Sequence, residues 1–253
     1  VAGDPRDESH SGSIDRRKGQ SERAVREDVG VPLQLVRQPD PESLARHAAR
    51  DLVASIQQAR EARGVAHVCL AGGSTPMRCY ELLDGQLDDW SNVHLWYGDE
   101  RCVPFDDPES NHGQVKERLK ARGATWHPMP GTLGPAEGAI EYGRELGPTI
   151  LDITHLGMGP DGHTASLFPN HPLLDAHGVA AGISDSPKPP PERITLTLPK
   201  LNESRRIVLL VTGEGKSDAL ARAQAGPDRG TPVSLLDRGK LLVMADYAAA
   251  PPS

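Results

Sequence analysis

From residue 31 onward the apolar positions fall into two alternating patterns. In one, Leu44, Ala48, Leu52 and Ile56 recur at every fourth position behind Asp40-Pro41-Glu42. That spacing lines one face of a helix, with Asp40 as its N-cap, Pro41 in its first turn and Gly64 as its stop. In the other, Val, Ile and Leu gather in short runs over residues 65–71, 93–97, 151–156, 194–198, 207–211 and 241–245, unbroken in the last two. Runs without polar alternation mark strands covered on both faces. Further helices are expected from Gly72-Gly73-Ser74-Thr75-Pro76 to Leu83, from Ser110-Asn111, and after Lys216-Ser217. The alternation predicts an α/β fold with an open, mostly parallel sheet flanked by helices.

Four of these strands run straight into a polar cluster that contains glycine. The clusters begin at Gly72, Gly98, Gly157 and Gly213. In an open parallel sheet the ligand sits beyond the carboxyl ends of the strands, so the recurrence locates the site. The richest cluster is Gly157-Met158-Gly159-Pro160-Asp161-Gly162-His163, followed by Thr164-Ala165-Ser166-Leu167-Phe168-Pro169. Backbone this tight leaves N–H groups free for an anion and aims Asp161 and His163 into the cleft. Taken alone, His163 could be a capping or core histidine; its strand-end setting beside Asp161 favours catalysis. A proton-transfer residue beside an anion cradle suits hydrolysis or isomerisation of a phosphorylated sugar.

The other clusters each allow two readings. Gly72-Gly73-Ser74-Thr75 is a phosphate loop or a plain strand-to-helix turn capped by Thr75. Lys216 neutralises a phosphate or lies in solvent; a nucleotide P-loop fails because Leu210 stands where its first glycine is required. Asp99-Glu100-Arg101 offers acid, base and cation, or is surface charge. Arg193 follows the stiff connector Ser186-Pro187-Lys188-Pro189-Pro190-Pro191 and is either a cation held over the cleft or a solvated loop residue. Gly157-x-Gly159-x-x-Gly162 matches a dinucleotide fingerprint. It is discounted because Pro160 removes an N–H, and Pro169 and Pro172 leave no long helix to receive a pyrophosphate. Asp161, His163, His171 and His177 lack the spacing of metal ligands, so no metal is expected.

Composition narrows the partners. The net charge of -7 disfavours nucleic acid, and no apolar run approaches the roughly 20 residues of a membrane span. Cys69, Cys79 and Cys102 form no CxxC pair, which points to a reducing, cytoplasmic compartment. Residues 1–30 hold seven acidic and six basic residues and almost no large apolar ones. They are expected to be a disordered extension, with residues 31–253 forming a single α/β domain.

Taken together, Ala71-Gly72-Gly73-Ser74-Thr75-Pro76, Asp99-Glu100-Arg101 with Ser110-Asn111, residues 157–169, Arg193-Ile194-Thr195-Leu196-Thr197 and Gly213-x-Gly215-Lys216 resemble the 6-phosphogluconolactonase family. The resemblance runs from about Leu33 to Ala249, in order and spacing. Thr154-His155 departs from it, where apolar strand residues are expected. The sister family of glucosamine-6-phosphate deaminases carries a ring-opening glutamate five residues after the histidine; here that position is Phe168. The resemblance implies a Rossmann-like sheet, a sugar-phosphate lactone as substrate, and no metal or organic cofactor. It implies His163 as general base oriented by Asp161, with Arg101 and Asp99 among the catalytic residues. Gly72, Gly73, Ser74, Thr75, Arg193, Lys216 and Asn111 would hold the substrate and its phosphate. A functional link to glucose-6-phosphate dehydrogenase, which makes such a lactone, is a natural expectation.

Overall fold

The structure is a computed structural model that describes residues 32–252. The expected disorder of residues 1–30 lies outside the described residues. In chain order the strands are β1 (Gln34–Gln38), β2 (Ala66–Leu70), β3 (Val93–Tyr97), β4 (Asp99–Arg101), β5 (Thr125–Trp126), β6 (Ile153–Gly157), β7 (Ala180–Ile183), β8 (Arg193–Leu196), β9 (Ile207–Val211) and β10 (Leu241–Asp246). The α-helices are α1 (Pro41–Arg63), α2 (Ser74–Leu83), α3 (Asn111–Arg118), α4 (Pro135–Leu146), α5 (Leu198–Glu203) and α6 (Ser217–Ala225).

Helix α1 forms as its spacing predicts. The Asp40 carboxylate accepts the Ser43 N–H at 2.7 Å, and Gly64 ends the helix at φ 74°, a conformation that suits glycine. Leu44, Ala48, Leu52 and Ile56 are fully buried against the sheet. Burial of side chains such as Leu52 and Ile56 contributes about 1.5–3 kcal/mol each.

Seven strands pair in parallel in the order β1-β10-β9-β6-β2-β3-β5. All five residues of β9 are buried, as its unbroken apolar run requires. From β2 the chain winds outward through β3 to β5, then returns to β6 on the other side of β2. The winding direction therefore reverses between β2 and β6, where such sheets bind ligands beyond the strand ends.

A second sheet, not foreseen from the hydrophobic pattern, has the antiparallel order β4-β8-β7. Asp99-Glu100-Arg101 is thus a strand rather than a strand-end loop. Alternation along it separates the side chains: Asp99 and Arg101 face the cavity beyond the main sheet, while Glu100 is fully buried on the opposite side. There Glu100 accepts backbone N–H groups from Asn111 at 2.7 Å and His112 at 2.7 Å, fixing the start of α3.

Thr154 and His155 are both fully buried in β6. Thr154 shares a 2.8 Å hydrogen bond with Ser204. The His155 ring stacks on Tyr80 at 6.0 Å, and neither of its nitrogens has a hydrogen-bond partner among the described residues. Burial depresses its pKa to about 3, so the ring is neutral. The departure from an apolar run is therefore absorbed as one satisfied hydroxyl and one neutral ring. Among the described residues no helix is long and apolar enough to cross a membrane.

Candidate active site

A cavity of about 290 Å³ opens at the carboxyl ends of β2, β6 and β9. Gly72, Gly73, Ser74, Thr75, Asp99, Arg101, Asn111, His163, Arg193 and Lys216 all line it, and Asp161 stands directly behind His163. Every residue given a catalytic or substrate-binding role from the sequence is thus at this one place, whereas Glu100, offered beside Asp99 and Arg101, is buried on the far side of β4.

The wall formed by Gly72 to Thr75 is the N-terminus of α2. Gly73 is its N-cap at φ 97°, and among the described residues no side chain caps the helix, so first-turn N–H groups and the positive end of the dipole face the cavity. The turn reading with Thr75 as cap is set aside, because the Thr75 hydroxyl instead meets that of Thr212 at 2.7 Å. A Cβ on Gly72 would lie 1.9 Å from Asn111 Oδ1, so glycine is required for that close approach. Asn111 in turn donates from Nδ2 to the Asp99 carbonyl at 2.9 Å. The Asp99 carboxylate accepts the Ser166 hydroxyl at 2.7 Å and is only 7% exposed.

After β6 the chain folds into a tight loop rather than the long helix of a dinucleotide site. The Gly159 N–H donates to the His163 carbonyl at 2.9 Å, and Gly162 adopts φ 87°. The loop places His163 Nδ1 2.5 Å from Asp161 Oδ1. With Asp161 accepting the Nδ1 proton, the Nε2 lone pair is left for a substrate or water. Burial lowers the pKa of His163 below the usual histidine value, and Lys188 adds to the depression; Asp161 and Asp99 oppose it. Burial also works against the charge of Asp161, but its hydrogen bond to His163 and the neighbouring cations outweigh this and hold its pKa low. Next in the chain, Ala165 is at φ 47° in a turn closed by the Thr164–Leu167 bridge. A non-glycine residue in that region is strained, as is common beside functional groups.

The cations converge from three elements. Arg101 and Arg193 lie directly opposite each other across β4 and β8, a pairing that is unfavourable unless an anion sits between or near them. Arg101 donates to the Glu109 carbonyl. Arg193 donates from Nε to Pro190 O at 2.9 Å and from Nη2 to Lys188 O and Pro189 O at 3.1 and 3.0 Å. Much of its donor capacity is therefore spent folding the connector, leaving Nη1 for the cavity. Lys216 sits on a short turn after β9 and donates to the Met158 carbonyl. Burial lowers its pKa, and Lys188 adds to the effect.

Lys188 was not among the residues singled out from the sequence. Its Nζ lies 3.1 Å from His163 Nδ1 and 3.4 Å from Asp161 Oδ2. The only signal was a lysine set among prolines in a connector already suspected of holding a cation. Asp161, His163, His171 and His177 do not converge as ligands, and among the described residues no group of three or more His, Cys, Asp or Glu side chains is placed to hold a metal.

An imidazole–carboxylate dyad thus faces a cationic, N–H-lined cavity at the switch point of a parallel sheet. The chain belongs to the family of glucosamine-6-phosphate isomerases/6-phosphogluconolactonase, whose model matches residues 39–244. It is 39% identical over 242 residues to the 6-phosphogluconolactonase of Mycobacterium tuberculosis, covering 85% of this chain and 97% of that protein. It is 35% identical over 231 residues to the GDH/6PGL endoplasmic bifunctional protein of Oryctolagus cuniculus, covering 83% of this chain and 29% of that protein. The crystal structure of a 6-phosphogluconolactonase from Shewanella baltica superposes with a TM-score of 0.77 at 28% identity, covering 86% of this chain and 100% of that one.

Proposed function

We propose that this chain hydrolyses 6-phospho-D-glucono-1,5-lactone to 6-phospho-D-gluconate, the lactonase step of the oxidative pentose phosphate pathway, with the residues described above in the following roles. His163 Nε2 takes a proton from water as the oxygen attacks the lactone carbonyl. Asp161 holds the ring in the required tautomer and balances the imidazolium that forms, with Asp99 adding to that balance. The carbonyl oxygen becomes an oxyanion beside Arg101. When the tetrahedral species collapses, the bond to the ring oxygen breaks and His163 returns its proton to that oxygen. The distant phosphate is held by the N–H groups of Gly72 to Thr75, by Lys216 and by Arg193, which fixes the carbonyl over the imidazole.

The observation that carries this reading is the 2.5 Å His163–Asp161 pair opening onto a cavity lined by Arg101, Arg193 and Lys216. Phe168 separates it from deamination. Its ring is 1% exposed and packs 5.0 Å from the His163 ring, so the position of the ring-opening carboxylate is filled by an apolar side chain. The substrate is the product of a glucose-6-phosphate dehydrogenase, and the rabbit relative's name joins GDH to 6PGL; a functional link to such a dehydrogenase is part of the proposal. So is a cytoplasmic location, which the three free thiols support.

The test is hydrolysis of freshly generated lactone, coupled to nicotinamide reduction by 6-phosphogluconate dehydrogenase, beside ammonia release from glucosamine 6-phosphate. A lactone rate well above spontaneous opening with no ammonia supports the reading. Ammonia release without lactone hydrolysis contradicts it.

A further inference from the structure

Among the described residues, the cation closest to the acid–base pair belongs to a residue that the roles above leave unused. The connector over residues 186–191 is folded from within. Ser186 Oγ donates to Lys188 O at 2.9 Å, Ser186 N–H donates to Pro191 O at 3.1 Å, and the guanidinium of Arg193 gathers the carbonyls of Lys188, Pro189 and Pro190. Arg193 is itself 4% exposed and lies 5.8 Å over the Phe168 ring, which in turn packs on His163. This scaffold has one consequence for chemistry: it delivers Lys188 Nζ to the side of His163 that bears Asp161.

From this juxtaposition we infer that Lys188 is a positioning residue of the acid–base unit, ion-paired to Asp161 and holding His163 neutral before attack. The inference deepens the hydrolytic reading and rests on it for its kinetic arm alone. Asp161 Oδ1 at 2.5 Å takes the Nδ1 proton, so the Lys188 ammonium cannot donate to that nitrogen. It acts as a like charge beside any imidazolium and as a counter-charge that ties down the carboxylate. Like charge at this range disfavours protonation of the ring. In the reaction the same repulsion drives the borrowed proton onward to the departing ring oxygen.

The other charged groups around His163 do not supply this effect. Asp161 on its own loop and Asp99 on β4 both favour the protonated ring. Arg101 on β4 and Arg193 on β8 line the same cavity, Arg101 bonded to the Glu109 carbonyl and Arg193 to the connector with its Nη1 left to the cavity, and neither is hydrogen-bonded to the imidazole. Lys216 donates to the Met158 carbonyl. Among the described residues, Lys188 is the cation within hydrogen-bond distance of the imidazole.

The experiment is an NMR titration of the His163 ring in the full chain, without substrate, for wild type, Lys188→Met, Lys188→Gln, Lys188→Arg and Lys216→Met. The acid limb of kcat/KM is followed in parallel. Removing the charge in Lys188→Met and Lys188→Gln should raise the His163 pKa by about one unit and carry the acid limb with it. Lys188→Arg should restore both, and Lys216→Met should leave the ring's titration where it is in wild type. The Lys188 side chain is 37% exposed, so these changes open no core cavity. If His163 titrates alike in wild type and Lys188→Met while KM alone rises, Lys188 is a phosphate anchor and the inference is overturned. A shifted titration in a chain that hydrolyses no lactone would uphold the inference and reject the proposed activity.

Discussion

A single methyl group is enough to dismantle the centre of this site. A Cβ on Gly159 would lie 2.0 Å from His163 Nδ1 and 2.4 Å from Asp161 Oδ1, distances no real side chain shows, so Gly159→Ala must push the two apart. Its kcat should fall by roughly 100-fold or more, the range that general acid–base catalysis supplies, with the thermal midpoint little changed. The pH profile follows from the state of His163. A base works when neutral, and its pKa is depressed by burial and by Lys188. The acid limb of kcat/KM should therefore fall below the ordinary histidine value of 6.5; a limb above it would contradict the structure. Asp161 and His163 were legible as a pair because they stand two residues apart in a glycine-bounded loop, where local geometry decides who meets whom. Lys188 was not, because it arrives 25 residues later through a connector whose path depends on Arg193.

At the scale of elements, Glu100 shows how one residue joins two of them. It accepts the N–H groups of Arg101, Asn111 and His112 and the hydroxyl of Ser110, tying β4 to α3. Burial raises its pKa even against those donors. Glu100→Ala should cost about 1–3 kcal/mol for each buried donor left unpaired, read as a lower urea midpoint. It should also raise KM, because Asn111 loses its anchor beside Gly72; an unchanged midpoint and KM would refute the tie. The central parallel strands were readable as short apolar-rich runs, β9 unbroken throughout, leading into glycine. The antiparallel sheet was not, since β4 has three residues and joins β8 at a separation of more than ninety positions. Helix α4 was hidden by Gly138 and Gly143, residues that lower helix propensity. The structure explains the first: a Cβ on Gly138 would meet Ile194 Cδ1 at 2.4 Å.

For the molecule as a whole, two shielded histidines, His155 fully buried and His112 half-buried, bear on the response to acid. His155 and His112 have pKa values depressed to about 3 and about 4, in both cases mainly by burial. An unfolded chain binds these protons at an ordinary histidine pKa of about 6.5, and the folded chain does not. Stability is therefore full above that value and declines as pH falls through the window between it and the depressed pKa values. Urea midpoints should drop steadily between pH 7 and pH 4, and His155→Leu should flatten that slope; an equal slope in the variant would refute the assignment. The proposed function asks the same of His163, a neutral imidazole among the cations Arg101, Arg193 and Lys216 that line the cavity. The measurement that bears on this most directly is the initial rate of 6-phosphoglucono-lactone hydrolysis by wild type and by His163→Ala at saturating substrate. Wild type should run far above spontaneous opening and the variant at that background, with substrate affinity nearly unchanged. A variant that keeps near-normal turnover would show that His163 is not the base.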